Sequence, residues 1–184
     1  PYAQFMLKKI LIAVAVVVLV FVVIVATRPA DFRVTRSASF AAPPEAVFAQ
    51  INNFHNWDAW SPWSKLDPNA KFTFEGPEAG VGAAFAWAGN NQVGEGRMTI
   101  AESRTNELIR LKMEFFKPVA GVSTTEFTFK PEGDQTTVTW SMFGKNNFMA
   151  KAVTLFMDCD NLIGSQFEKG LANLRTVVET NAAK

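Results

Sequence analysis

The order of apolar and polar residues divides the chain into an unbroken apolar run, a set of alternating segments and a final segment with a helical period. The run comprises seventeen residues, 10–26, with Lys8 and Lys9 before it and Arg28 after it. As a helix it is about 25 Å long, close to the hydrocarbon thickness of a bilayer. It predicts a transmembrane helix over about residues 8–27. The residues expected within the membrane include Ile10, Val17, Phe21 and Ala26.

A cleaved signal peptide is the alternative to a retained anchor. The apolar core of a signal peptide is usually about 7–15 residues, and Ile24 is unfavourable three positions before a bond cleaved after Ala26. We therefore expect a signal anchor within residues 1–30 and one domain over residues 31–184. Lys8 and Lys9 favour a cytoplasmic N-terminus, which puts the domain of this single-pass protein on the extracytoplasmic, periplasmic side.

From residue 31 onward, apolar and polar residues alternate in seven segments that are separated by turn signals, which predicts an antiparallel sheet. The predicted strands are 32–40, 71–75, 83–88, 93–104, 107–116, 122–130 and 136–143. Pro43 and Pro44 open a helix that ends at Asn52 and Asn53, and a short helix follows over residues 54–60.

The last segment changes its period from 2 to 3.6. It predicts one amphipathic helix of about 30 residues, from Phe148 to Val178, with a kink near residues 161–164. Gly164 and Gly170 lie on this helix, where they leave room either for a bulky group opposite or for close packing on the sheet. The order of elements predicts an α+β fold with a curved antiparallel sheet of about seven strands around a long C-terminal helix.

The amino-acid composition excludes several classes of function. The chain has seventeen Phe and five Trp but one Tyr and one His. Residues 31–184 carry fifteen basic and seventeen acidic residues, a net charge of −2, which does not fit a nucleic-acid-binding surface. His55 and Cys159 alone cannot supply the usual ligands of a metal site. No phosphate-binding loop, dinucleotide fingerprint or serine elbow is present, so no cofactor is expected.

Several segments resemble the START-like or SRPBCC superfamily, and within it the bacterial polyketide cyclase/dehydrase-like group. They are Ala-Pro-Pro-Glu-Ala-Val-Phe at 42–48, the tryptophan-rich stretch 54–63, Gly-Glu-Gly-Arg-Met at 94–98 and the final stretch 167–174. The resemblance spans about residues 32–180. It implies the helix-grip fold and a deep apolar cavity between the sheet and the C-terminal helix. It does not select a function, because the superfamily includes lipid carriers, cyclases and ring-hydroxylase domains.

The candidate ligand-binding residues are the large apolar side chains on the inner face of the sheet, on the tryptophan-rich segment and on the last helix. They are Trp57, Trp60, Phe85, Trp87, Met98, Met113, Phe115, Phe127, Trp140, Phe156 and Phe167. The tryptophans at 57, 60 and 63 either line a cavity mouth, lie at the membrane interface or close the end of the sheet as core.

Other residues have simpler interpretations. Glu95 and Arg97 are expected to point to solvent if Met98 points inward, and Cys159 is expected to be a small core residue. His55 fits a structural hydrogen bond better than catalysis. The loop 117–121 is either an ordinary hairpin turn or a contact for lipid or for the cavity.

Three functions remain. The first is noncatalytic binding of an apolar small molecule, such as a lipid, an isoprenoid or a quinone, beside the lipid bilayer. The second is a cyclase or dehydrase that acts on a polyketide-like substrate, with His55, Glu95, Arg97 or Glu114 as acid or base. The third is an accessory subunit that docks on other membrane proteins through the anchor helix.

Overall fold

The structure begins with a long apolar helix. The computed structural model describes residues 2–182, and its first helix, α1, extends from Tyr2 to Thr27. Val25 is buried, whereas the large apolar side chains before it are exposed. Within the described residues, Gln4–Thr27 is the one helix that is long and apolar enough to cross a membrane. Residues 28–30 connect α1 to the first strand.

Seven antiparallel strands form one sheet in the order β1-β7-β6-β5-β4-β3-β2. The strands are β1 (Asp31–Phe40), β2 (Lys71–Glu75), β3 (Ala84–Ala88), β4 (Glu95–Arg104), β5 (Leu108–Lys117), β6 (Gly121–Glu132) and β7 (Gln135–Lys145). From β2 to β7, each strand is joined to the next by a short connection and pairs with it. The first strand, β1, pairs with the last strand, β7. The predicted sheet is confirmed, with each predicted strand displaced by at most two residues at either end.

Two short helices cover one end of the sheet between β1 and β2. The first, α2 (Pro44–Asn52), begins with proline, whose fixed φ suits the first turn of a helix. It buries Val47, Phe48 and Ile51. A 3₁₀ helix (Phe54–Ala59) follows, and the side chain of Asn53 accepts a hydrogen bond from the N–H of His55 at 2.9 Å.

The C-terminal segment forms two helices, α3 (Phe148–Val153) and α4 (Cys159–Ala182). The prediction of one helix of about 30 residues was wrong, because the chain breaks at residues 154–158. The Asp158 side chain accepts the N–H of Asn161 at 3.1 Å, and its backbone oxygen accepts the N–H of Leu162. Asp158 thus starts a new helix as an N-cap, which an apolar period cannot reveal.

The core lies between the inner face of the sheet and α4. Its fully buried members include Phe40, Ile51, Ile100, Leu111, Phe127 and Leu174. At Gly170 of α4 a Cβ atom would lie 2.8 Å from Cζ3 of Trp140, and at Gly164 it would meet the guanidinium of Arg36. Both glycines therefore serve close packing of α4 on the sheet. The predicted α+β helix-grip architecture is confirmed.

Candidate apolar ligand cavity

A cavity of about 430 Å³ lies between the inner face of the sheet, the 3₁₀ helix and the N-terminal half of α4. The helix α4 packs most extensively on β1, at one edge of the sheet, and the cavity lies toward β2 and β3 at the other edge. Aromatic and methionine side chains form most of its wall. Its volume falls in the range of about 300–1,000 Å³ that is typical of small-molecule pockets.

An aromatic stack forms the wall nearest to α4. The rings of Trp140 on β7 and Phe167 on α4 lie parallel with their centroids 4.1 Å apart. Trp63 meets both rings edge-on, at 6.0 and 6.3 Å. Because offset and edge-on aromatic pairs are favourable arrangements, this wall is fixed by its own contacts.

Trp87 fixes the opposite wall. Its Nε1 donates to the backbone oxygen of Val93 at 3.2 Å, which ties the ring to the β3–β4 turn. Gly96 on the neighbouring strand leaves space for this ring, since a Cβ there would overlap it. The carboxylate of Asp67 accepts the N–H of Asn90 at 2.7 Å and holds the same turn. Trp87 is therefore held in place before any ligand enters.

The polar side chains of the lining are few. His55 and Asp58 are exposed to solvent at the mouth, and the ring of His55 stacks on Phe74 with centroids 4.1 Å apart. Thr125 lies deeper, where its hydroxyl donates to Sδ of Met113 at 2.8 Å. No group of three or more His, Cys, Asp or Glu side chains in residues 2–182 is placed to hold a metal ion.

One polar atom of the wall lacks a partner. The Nε1 of Trp140 is buried without a hydrogen-bond acceptor among the described residues. A buried donor without a partner costs about 1–3 kcal/mol. Because this atom has almost no accessible surface, it belongs to the packed interior of the wall and is not open to a guest.

Eight of the eleven predicted ligand-binding residues line this one cavity. They are Trp57, Phe85, Trp87, Met98, Met113, Phe115, Trp140 and Phe167. Trp60 and Phe127 do not reach the cavity surface, because both are fully buried beneath Trp57 and Trp140. Of the tryptophans at 57, 60 and 63, the outer two face the cavity and Trp60 belongs to the core.

Phe156 corrects the prediction. The helical period places it on the face of Phe167, but the break before α4 turns it away from the sheet. Its side chain is 80% exposed and its ring stacks on Phe21 of α1, with centroids 6.4 Å apart. Phe156 is therefore a contact of the apolar helix and does not line the cavity.

Twelve lining residues lie outside the predicted ligand-binding set, although Trp63 was among the tryptophans considered for the cavity mouth. The residues are Phe54, His55, Asp58, Ser61, Trp63, Ser64, Phe72, Phe74, Val93, Thr125, Met142 and Ile163. Strand alternation places Phe72, Phe74 and Met142 on the inner face, and this signal could have identified them. Ser61 and Ser64 lie in a loop, where no period indicates direction. Val93 was predicted as the first residue of a strand but lies in the turn before β4.

The charged candidates point away from the cavity. Glu95 pairs with Lys117 at 2.8 Å, and Arg97 pairs with Glu75 at 3.0 Å. Both charged side chains point outward, as predicted, and the next residue of the strand, Met98, points inward and lines the cavity. Burial, together with the Asp158 carboxylate, raises the pKa of the Cys159 thiol, which disfavours a reactive thiolate.

Comparison with known proteins agrees with this geometry. The profile of the family described as polyketide cyclase / dehydrase and lipid transport matches residues 31–179. Protein CV1439 from Chromobacterium violaceum is 17% identical, with a TM-score of 0.57 over 83% of this chain and 99% of its own. The Aha1 protein of Colwellia psychrerythraea is 14% identical, with a TM-score of 0.59 over 80% and 96%.

Protein SA2116 from Staphylococcus aureus is 12% identical, with a TM-score of 0.59 over 84% of this chain and 98% of its own. At these identities the likeness concerns the fold alone. A search of curated protein sequences found no match.

Proposed function

Because the chain belongs to the polyketide cyclase / dehydrase and lipid transport family, we propose that it is a membrane-tethered domain that binds an apolar ligand without transforming it. The ligand is a lipid, an isoprenoid or a quinone-like molecule, and it occupies the cavity between the sheet and α4. The observation that carries this proposal is the cavity itself, about 430 Å³ in volume and lined mainly by aromatic and methionine side chains.

The chemistry of the wall favours binding through shape and burial. Met98, Met113 and Met142 contribute flexible side chains that adapt to guests of different outline. Each Å² of apolar guest surface removed from water contributes about 25 cal/mol, so a hydrocarbon chain is retained without any charged contact.

Catalysis has less support. A cyclase or dehydrase needs an acid or base within hydrogen-bond reach of its substrate. Glu95, Arg97 and Glu114 do not line the cavity, which leaves His55 and Asp58 at the exposed mouth. The ring of His55 stacks on the ring of Phe74 at the mouth of the cavity. The deep part of the cavity therefore offers burial but no titratable group among the described residues.

The apolar helix supplies the location. Gln4–Thr27 has the length and composition of a membrane-spanning anchor, and its side chains are almost entirely exposed in the protein alone. Lys8 and Lys9 favour a cytoplasmic N-terminus and hence a domain on the extracytoplasmic side. Because only residues 28–30 separate α1 from the domain, the cavity is then close to the apolar molecules of the bilayer.

Filling the cavity tests the proposal. In Met113→Trp the larger side chain occupies the space that a guest would use, whereas Lys112→Trp adds the same side chain to the outer face of the same strand. The full chain is purified in mild detergent. One sample is extracted with organic solvent to measure bound lipid, and a separate intact sample is titrated with a fluorescent farnesyl analogue and with a short-chain quinone. We expect bound lipid and probe affinity to fall severalfold in Met113→Trp and to be retained in Lys112→Trp.

Three other outcomes would contradict the proposal. Absence of extractable lipid together with failure of both probes to bind the unaltered chain would overturn the proposal. Chemical conversion of a bound polyketide-like probe that is lost in His55→Ala would favour the enzyme. Stable co-migration with other membrane proteins in native gels, without bound lipid, would favour an accessory subunit.

A further inference from the structure

The segment from α3 to the start of α4 exposes an unusual number of large apolar side chains. No side chain of α3 is buried. The exposed residues are Phe148, Met149, Phe156 and Met157, with exposed fractions of 44–80%. Soluble monomers seldom gather so much apolar surface in one place, and a patch of this kind marks a contact with a membrane or another protein. We call residues 148–158 the apolar segment.

The apolar segment lies beside α1 and not beyond its end. Phe156 stacks on Phe21, and Nζ of Lys151 donates to the backbone oxygen of Ala26 at 3.4 Å. Phe21 precedes the last residue of α1, Thr27, by six positions, which is about 9 Å along the helix axis. Phe156 is therefore held at the depth of the apolar run, at the same level as residues that the anchor places in the hydrocarbon.

Three basic residues lie near this end of the domain, together with Asp31, which is opposite Lys145 in the pairing of β1 and β7. Arg28, Lys145 and Lys151 form no ion pair with a carboxylate within residues 2–182. The side chain of Asn147 donates to the backbone oxygen of Ala120 at 2.9 Å, so the β5–β6 turn adjoins the apolar segment. Apolar side chains beneath a rim of lysine and arginine are typical of helices that lie in the membrane interface.

We propose that the apolar segment is a second membrane contact, which embeds at the boundary between headgroups and acyl chains of the leaflet next to α1. Arg28, Lys145 and Lys151 then face lipid phosphates. This inference rests on the membrane anchoring included in the proposed function. It fixes the orientation of the domain. The end of the cavity that contains Phe115 and Ile163, the lining residues nearest to the β5–β6 turn and to the start of α4, is turned toward the leaflet.

Depth-dependent quenching tests the proposal. The single native cysteine is removed by Cys159→Ser, and one cysteine is introduced by Phe156→Cys or, independently, by Met149→Cys. A polarity-sensitive fluorophore is attached, and the full chain is reconstituted in vesicles of phosphatidylcholine and phosphatidylglycerol. Quenching by nitroxide-labelled lipid is compared with quenching by aqueous iodide. Two reference sites are Val17→Cys within the anchor and Asp134→Cys in the distant β6–β7 turn.

We expect the probes at 156 and 149 to be quenched severalfold more by lipid nitroxide than the probe at 134, and to be shielded from iodide. Quenching by iodide alone at both positions, with lipid quenching at 17, would overturn the second contact while the anchor stands. Shielding from both quenchers would indicate that the segment is buried against protein, which in this purified system is another copy of the chain, and would also overturn the second contact. Loss of lipid quenching at 17 would refute the anchor, and the second contact with it. Ligand extraction, which measures the cavity, is independent of all these outcomes.

Discussion

At the scale of single residues, Arg36 shows how a charged side chain is accommodated on the inner face of the sheet. Its Nε bonds to Oε1 of Glu168 at 2.7 Å, and its Nη2 bonds to Oδ2 of Asp160 at 3.1 Å. These hydrogen bonds, first to Asp160 and then to Glu168, raise the pKa of Arg36. Gly164 lies midway between the two carboxylates on α4 and leaves the space that the guanidinium fills.

The two glycines of α4 are expected to respond differently to alanine. At Gly170 a Cβ meets Trp140, a rigid ring that is buried and stacked on Phe167, so Gly170→Ala should destabilise the domain by about 1–3 kcal/mol. At Gly164 the Cβ meets the flexible end of Arg36, and alanine gains about 1 kcal/mol of helix propensity, so the net change should be small. Urea unfolding followed by near-UV circular dichroism measures both. Equal destabilisation by the two variants would contradict this reasoning.

Residue-scale prediction from the sequence is limited by what alternation can convey. The period of two identifies the inner face, and it places Phe85, Trp87, Met98 and Met113 correctly. It cannot separate a side chain that lines a cavity from one that is buried beneath it. Trp57 and Trp60 share a helical face, yet one faces the cavity and the other is fully enclosed.

At the scale of secondary-structure elements, the strands were predictable and the C-terminal helix was only partly so. Turn residues and strict alternation delimit strands of 5 to 12 residues in this sheet. In the C-terminal segment the apolar period continues across residues 154–158, although the helix does not. Phe156, within the break, contacts Phe21 of α1, whereas Phe167 of α4 packs on Trp140 of the sheet, so residues of the same apolar period have two different partners.

Asp158 makes the start of α4 sensitive to pH. Hydrogen bonds from the backbone N–H and then from the side chain of Asn161 lower its pKa. A carboxylate with a lowered pKa stabilises the fold above its unfolded pKa of about 3.9, and this contribution is lost as the pH falls through the folded value. Asp158→Asn retains a capping oxygen but does not titrate.

We therefore expect the original chain to be more stable than Asp158→Asn at pH 7, with a difference that narrows below about pH 4. The urea midpoints of both proteins at pH 7 and pH 3 measure this. Other carboxylates titrate equally in the two proteins and cancel in the comparison. A difference that stays constant with pH would show that the charge of Asp158 does not contribute.

At the scale of the whole molecule, the fold could be predicted but the cavity could not. Element order and motifs establish the sheet and its helix. A cavity depends on the small difference between the space enclosed by a curved sheet and the total volume of the side chains within it. Here the large rings of Trp140 and Phe167 stack at one side, which leaves the space toward Phe85 unfilled. No linear pattern records that difference.

Val25 is the one residue of α1 that is buried among the described residues, and it lies outside the hydrophobic cluster that forms the main core, so residues 31–184 are expected to fold on their own. A protein truncated to this range should unfold cooperatively and keep the near-UV circular dichroism signal of its clustered tryptophans. Because the apolar segment remains exposed, the truncated protein should still bind anionic vesicles, although more weakly than the full chain. A molten spectrum without cooperative unfolding would place α1 within the folding unit.

The short connection between α1 and β1 limits how far the domain can move a bound molecule. Residues 28–30 extend over at most about 14 Å, even when the chain is stretched. A carrier on so short a tether cannot cross an aqueous compartment with its cargo. Under the proposed function, the domain exchanges molecules only with the leaflet next to α1 or with a protein that approaches that leaflet. The proposed role is then that of a stationary holder, and another molecule must carry the guest over any distance.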